Sequence, residues 1–153
     1  MSRHVAEISW RSDGEFASGR YSRRHEIRFD GGAVLAGSSS PDVVPEPMSD
    51  PAAVDPEEAL VAAVASCHML WFLSLAQNAG LEVASYRDSA EGEMGRIGPG
   101  RMAIVRIALR PDVAFAGAAP DAATIDRLHR EAHERCFIAN SLNSEIVIEP
   151  PAR

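Results

Sequence analysis

The chain has 153 residues, 46% hydrophobic and 24% charged, with a formal net charge of -7. That balance predicts a single globular domain spanning residues 1–153, and its acidity argues against nucleic acid, whose phosphates demand a basic surface. All 15 basic residues are arginine, which excludes lysine Schiff-base chemistry and a lysine-bearing phosphate loop.

Residues 4–10 alternate weakly and predict a first strand. The opening Met1-Ser2-Arg3-His4-Val5-Ala6-Glu7 has no apolar run of the secretory kind, so the expected compartment is the reducing cytoplasm. A second strand is predicted over 23–29. Asp30-Gly31-Gly32 is a hairpin turn, and a third strand follows at 33–36. Residues 37–55 are rich in Ser, Pro and Asp and predict a long loop of the binding kind.

Asp55-Pro56-Glu57-Glu58 starts a helix: Asp55 can cap it, Pro56 suits the first turn, and the carboxylates suit the positive end of its dipole. The helix should run to Asn78 and stop at Gly80. From Ala59 to Ala76 it is apolar all round apart from Ser66, Cys67, His68 and Ser74, which predicts burial on every side. Its length approaches that of a membrane span. His68 at its centre, acidic residues at its entrance and the lack of basic anchors favour a buried central helix instead.

Two strands are then predicted over 81–93 and 101–110, around a turn at 95–100, with a small-residue loop at 114–119. Residues 121–135 form an amphipathic helix carrying Ile125, Leu128 and Ala132 at helical spacing. Residues 136–142 look like a separate short helical turn, and 145–149 a last strand. Strands, then helices, then strands indicate an α+β fold.

Cys67 lies inside the apolar helix and Cys136 just beyond the amphipathic one. In a reducing compartment such a pair suggests thiol redox chemistry more than a structural staple. Other readings stay open. Either cysteine alone could be a small buried apolar residue. His129, His133 and Cys136 give H-x3-H-x2-C, an acceptable zinc spacing with Cys67 and His68 as further ligands, although helix-face histidines are more often solvated. A non-catalytic or redox-sensing domain could instead hold a small hydrophobic ligand beneath the proline-rich loop.

Two blocks in this order, Asp55-Pro56-Glu57-Glu58 with Cys67 ten residues after Glu57, and a helix leading into Cys136-x-x-x-x-Ser141-Leu142, resemble the OsmC/Ohr family of hydroperoxide-reducing proteins. The likeness extends over residues 4–149. It implies antiparallel sheets packed around a long buried central helix, in an intertwined homodimer with active sites at the interface. It also implies a peroxidatic Cys67, a resolving Cys136, and a glutamate and an arginine that support the thiolate, since a free thiol ionises only near ~8.5. Glu57 matches the family glutamate. Ten residues of helix span ~15 Å, so Glu57 cannot touch Cys67 of its own chain, whereas an antiparallel partner helix could bring its own glutamate there.

No arginine lies between Arg28 and Arg87, so a family arginine from the loop before the helix has no counterpart. Arg11, Arg20, Arg23 and Arg24 are the candidates. Arg23 is favoured because Tyr21-Ser22-Arg23-Arg24-His25 resembles a recurring block of one OsmC-like branch, as does the segment from Ser66 to Leu70. His25 and His68 are expected to add polar contacts at the site. The implied reaction reduces organic hydroperoxides, and hydrogen peroxide less well, because an apolar site favours an apolar tail. It requires no organic cofactor. The reductant stays open among a lipoyl-like dithiol, a small thiol and a thioredoxin-like protein.

Overall fold

The computed structural model describes residues 1–151, and the chain divides into two compact units, Met1–Ala59 and Leu60–Arg153. In the first unit, β1 (Ala6–Ser9), β2 (His25–Phe29) and β3 (Val34–Gly37) form an antiparallel sheet in chain order. Ile8 faces Ile27, which faces Leu35. The hairpin predicted at Asp30-Gly31-Gly32 closes with the Phe29 amide donating to the Ala33 carbonyl at 2.9 Å. β2 starts two residues later than predicted, because the Arg23 amide donates to the Met48 carbonyl.

The predicted long loop is ordered and closes on itself. Val54 donates to the Ala36 carbonyl at 2.9 Å, and Ser38 donates to the Val54 carbonyl at 3.1 Å. Inside it, the Asp50 amide donates to the buried Ser38 hydroxyl.

Helix α1 runs from Pro56 to Asn78. It begins with a reciprocal capping box: the Asp55 amide donates to the Glu58 carboxylate, and the Glu58 amide donates to the Asp55 carboxylate. It ends where Gly80 takes φ +74°, with Leu81 donating back to the Ala76 carbonyl and Gly80 to that of Gln77.

In the second unit β4 (Val83–Asp88), β5 (Glu91–Gly98), β6 (Arg101–Leu109) and β7 (Pro111–Phe115) precede helix α2 (Ala122–Arg135), a 3-10 turn (Ala139–Ser141) and β8 (Glu145–Ile148). They form two sheets, β4-β7 and β5-β6-β8. The strand predicted over 81–93 is therefore two strands in different sheets, and part of the predicted loop at 114–119 belongs to β7. The cause lies at Arg110. Its amide donates to Asp88 at 2.7 Å, and its guanidinium reaches Glu91 at 2.9 Å and Glu149 at 3.0 Å. Pro111 has no amide hydrogen with which to extend the β6 ladder. The two-stranded ribbon thus changes sheet at one level, and Val113 and Phe115 turn toward Phe72. β8 runs parallel to β6, with Ile107 facing Ile146, whereas the other pairings between named strands are antiparallel.

The second unit packs against one face of α1. Val64 joins Ile107 and Leu109, while Phe72, Leu75 and Ala76 join Leu128 and Ala132. Within the single chain α1 is not buried on every side. Ala62, Ser66, Leu70 and Ser74 are exposed, Leu70 at 60%. A uniform apolar pattern does not reveal how many layers one chain can supply to cover it. By length and hydropathy α1 could cross a membrane, but its buried face packs as a core helix does.

β5 approaches α1 through Gly92, where an added Cβ would lie 2.6 Å from Cγ2 of Val61. Valine is stiff at χ1 and yields little. We therefore expect Gly92→Ala to destabilise the fold by about 1–3 kcal/mol, read as a lower urea midpoint with an unchanged m-value.

Candidate active site

Cys67 sits midway along α1, and Cys136 is the residue at which α2 ends. Asp121 caps the start of α2 by accepting from the Thr124 amide at 2.8 Å. At the other end the Cys136 amide donates to the His133 carbonyl, and its ψ of 109° takes the chain out of the helix. The following turn is pinned by Asn140 donating to the Cys136 carbonyl at 3.0 Å, and by Ile138 and Leu142 packing on the Val64–Ile107–Leu109 cluster. Residues 136–142 are thus the separate turn that the sequence predicts, and this turn aims the Cys136 side chain at α1.

The two thiols are neighbours. Both are unbridged, and Cys67 lies close enough to Cys136 to bear on its ionisation. Cys136 is 1% exposed, whereas Cys67 is half-buried. Burial pushes the Cys136 thiol up to about 11; the Ala139 amide, 3.4 Å from Sγ, opposes the rise and the nearby Cys67 adds to it. At neutral pH Cys136 is therefore a protonated thiol with no route to solvent of its own.

Cys67 opens into a cavity of about 310 Å³ lined with Leu70, Trp71, Ser74 and Phe137. The Trp71 and Phe137 rings meet edge to face at 5.5 Å, and the Arg135 guanidinium lies 5.7 Å over Trp71. The walls are apolar with one cation at the rim, and the volume is at the small end for a ligand site. Nothing in the sequence marked Trp71 or Phe137. A signal existed in retrospect, since Trp71 follows Cys67 by one helical turn and Phe137 adjoins Cys136.

Glu57, His25 and the candidate arginines belong to the Met1–Ala59 unit. Glu57 lies half-buried in the first turn of α1. The Arg23 guanidinium covers the Tyr21 ring at 3.6 Å and donates to the carbonyls of Gly19 and Tyr21. His25 contacts the Arg23 carbonyl through Nδ1 at 2.8 Å. Arg20 pairs with Glu15, Arg24 with Asp50, and Arg11 is exposed.

A protein-family model described as OsmC-like protein matches residues 49–150. The chain belongs to the OsmC-like family. An OsmC-like protein of unknown function from Vibrio cholerae is 45% identical to it, with 98% of this chain and 99% of that one covered at a TM-score of 0.94. An organic hydroperoxide resistance protein from Elizabethkingia anophelis, crystallised with thiocyanate, is 14% identical at a TM-score of 0.74, covering 99% and 98%. One from Legionella pneumophila is 15% identical at 0.68, covering 99% and 98%. The last two show the shared fold. No curated protein sequence matches the chain.

In this OsmC-like protein the predicted placement of two histidines is corrected. His129 is not solvated on an open helix face: it is 7% exposed, and its Nδ1 lies 3.0 Å from Nε2 of His68, which is 1% exposed. His68 accordingly points into the core and not toward the cavity beside Cys67. Among the described residues no group of three His, Cys, Asp or Glu side chains could hold a metal ion, so the H-x3-H-x2-C spacing does not converge on one point.

Burial holds His68 down at about 4, reinforced by His129 and His133, and holds His129 at about 4 against a smaller opposing pull from Asp126. Both values lie below that of an unfolded histidine, ~6.5. The contribution of the pair to stability is therefore complete above pH ~6.5 and is lost as pH falls toward 4. We expect the urea midpoint to decline from pH 6.5 to pH 4 more steeply for the wild-type chain than for His68→Leu/His129→Leu, which has nothing to protonate there. Equal slopes would refute this assignment.

Proposed function

We propose that this OsmC-like protein is a thiol peroxidase that reduces organic hydroperoxides, and hydrogen peroxide less well. The observation that carries the reading is the proximity of a half-exposed Cys67, facing an apolar cavity, to a buried Cys136. The Cys67 thiolate attacks the terminal peroxide oxygen, the O–O bond breaks, and the alkoxide leaves as an alcohol after taking up a proton. Cys67 is then a sulfenic acid. Cys136 attacks its sulfur, water leaves, and the disulfide forms. Two thiols of an external reductant restore the pair. The apolar walls admit the hydrocarbon portion of the substrate, whose desolvation is favourable.

The same reading has residues 1–153 act as one functional domain in the cytoplasm, in a homodimer. The exposed Leu70 of α1 supports the dimer, as do the exposed Ile8, Val34 and Leu35 of the first sheet, because burial of exposed apolar side chains against a second copy is favourable. α1 is continuous, so ten residues still separate Glu57 and Cys67 by ~15 Å along its axis. Glu57 is accordingly assigned to the partner copy's site, where it supports the thiolate, a task that Arg23 is assigned to share. Sedimentation should give twice the chain mass at micromolar concentration, and a monomer would remove the structural basis for that assignment.

The deciding experiment is consumption of cumene hydroperoxide and hydrogen peroxide by the purified chain with a dithiol reductant. Cys67→Ser should abolish turnover. Cys136→Ser should permit one oxidation per chain and no internal disulfide, and Glu57→Gln should lower kcat/KM by about tenfold or more. Equal tolerance of both cysteine substitutions would sink the mechanism. It would leave the cavity as a binding site for a small apolar ligand, which Cys67→Ser would not disturb.

A further inference from the structure

The His68–His129 contact spans the same two helices as the thiols. His68 follows Cys67 directly on α1, and His129 stands seven residues before Cys136 on α2, about two helical turns. The rings are nearly coplanar, 8° apart, and the Phe72 ring covers His129 at 4.4 Å. A neutral imidazole has one donor and one acceptor. Nδ1 of His68 has no protein partner. The arrangement that leaves no unpaired N–H there has Nε2 of His68 donating to Nδ1 of His129.

We propose that this hydrogen bond positions the two thiols, fixing α1 against α2 so that Cys67 and Cys136 stay within reach of disulfide closure. The proposal rests on the reading of those cysteines as a redox pair. Around the bond, Phe72, Leu75, Leu128 and Ala132 pack through apolar contacts, which are non-directional. A disulfide tolerates little: its Cβ atoms must come within about 3.5–4.5 Å of each other. One directional bond two turns from Cys136 supplies the register that apolar packing does not. The pair senses His133 and Asp126, both on α2, while Tyr86 of β4 packs against Phe72, which covers His129. At neutral pH it is uncharged and the bond is intact.

The test is the thiol–disulfide equilibrium of the chain against dithiothreitol at pH 7. Oxidised dithiothreitol takes two electrons and two protons from the cysteines, the protein S–S bond forms, and reduced dithiothreitol is released. No peroxide takes part, so the result is independent of whether peroxides are the substrate. His68→Leu/His129→Leu removes both partners and leaves no orphan polar group, so its melting temperature should match or exceed that of the wild type.

Its disulfide equilibrium constant should nevertheless fall by about tenfold or more. His129→Asn, which keeps a hydrogen-bonding atom near the position of Nδ1, should stay within about threefold of the wild type. A wild-type equilibrium in the double variant would overturn the proposal, as would an equal loss in His129→Asn. Should the double variant not fold, imidazole nitrogen NMR of the wild-type chain decides. A proton shared between Nε2 of His68 and Nδ1 of His129 in both redox states supports the role, and its absence overturns it. Failure of the wild-type chain to form the disulfide at all would refute the redox-pair reading together with this one.

Discussion

Everything in the larger unit depends on burial of one face of a single helix. Val64, His68, Phe72, Leu75 and Ala76 recur at intervals that keep them on one side of α1. Each large side chain among them is worth about 1.5–3 kcal/mol when removed from water. The face is long enough to serve two cores, one around Ile107 and Leu109 and one around Leu128 and Ala132. No single flat sheet follows such a length, and the β ribbon divides at Arg110 into two. The ions gathered at that bend, Arg110 and Arg106 with Glu149, Glu91 and Glu93, sit at the surface. They add geometry more than energy.

The same packing makes the two thiols unequal. Cysteine chemistry follows the thiolate and its access to reactants, and here burial acts on Cys136 against both. Its thiol is raised well above the neutral range and sealed by the turn that follows α2. Cys67 keeps the opening to the cavity. The order of events in the proposed reaction, attack first and resolution second, thus follows from which side of α1 each sulfur occupies.

Polar groups inside the core are costly unless partnered, and this core holds several. His68 and His129 satisfy each other on one side. Asp88 accepts the Arg110 amide at the ribbon bend, with burial raising its carboxyl above the usual range against the pull of Arg110. The Tyr86 hydroxyl is buried without a protein partner, and burial, then Asp88, keeps it protonated far into alkaline pH. Of these groups, His68–His129 and Asp88 with the Arg110 amide make directional bonds inside a core otherwise held by apolar packing.

What the sequence determined by itself was local. The capping box at Asp55 and Glu58, the stop at Gly80, the turn at Asp30-Gly31-Gly32, the Asp121 cap and the break at Cys136 each depend on residues within one or two turns of one another. The two cysteines and the family likeness were legible for the same reason, since the motifs carrying them are contiguous. Only the tertiary structure decided the rest. Pro111–Phe115 became a strand because β4 lay ready to pair with it. His129 entered the core because His68 was there to receive it, and α1 buries only the face that its own unit packs against. Trp71 and Phe137 became the walls of a cavity only when α2 delivered Cys136 to α1. A pattern of residue types states what each segment would bury, whereas the partner that does the burying is set by contacts between segments far apart in the chain.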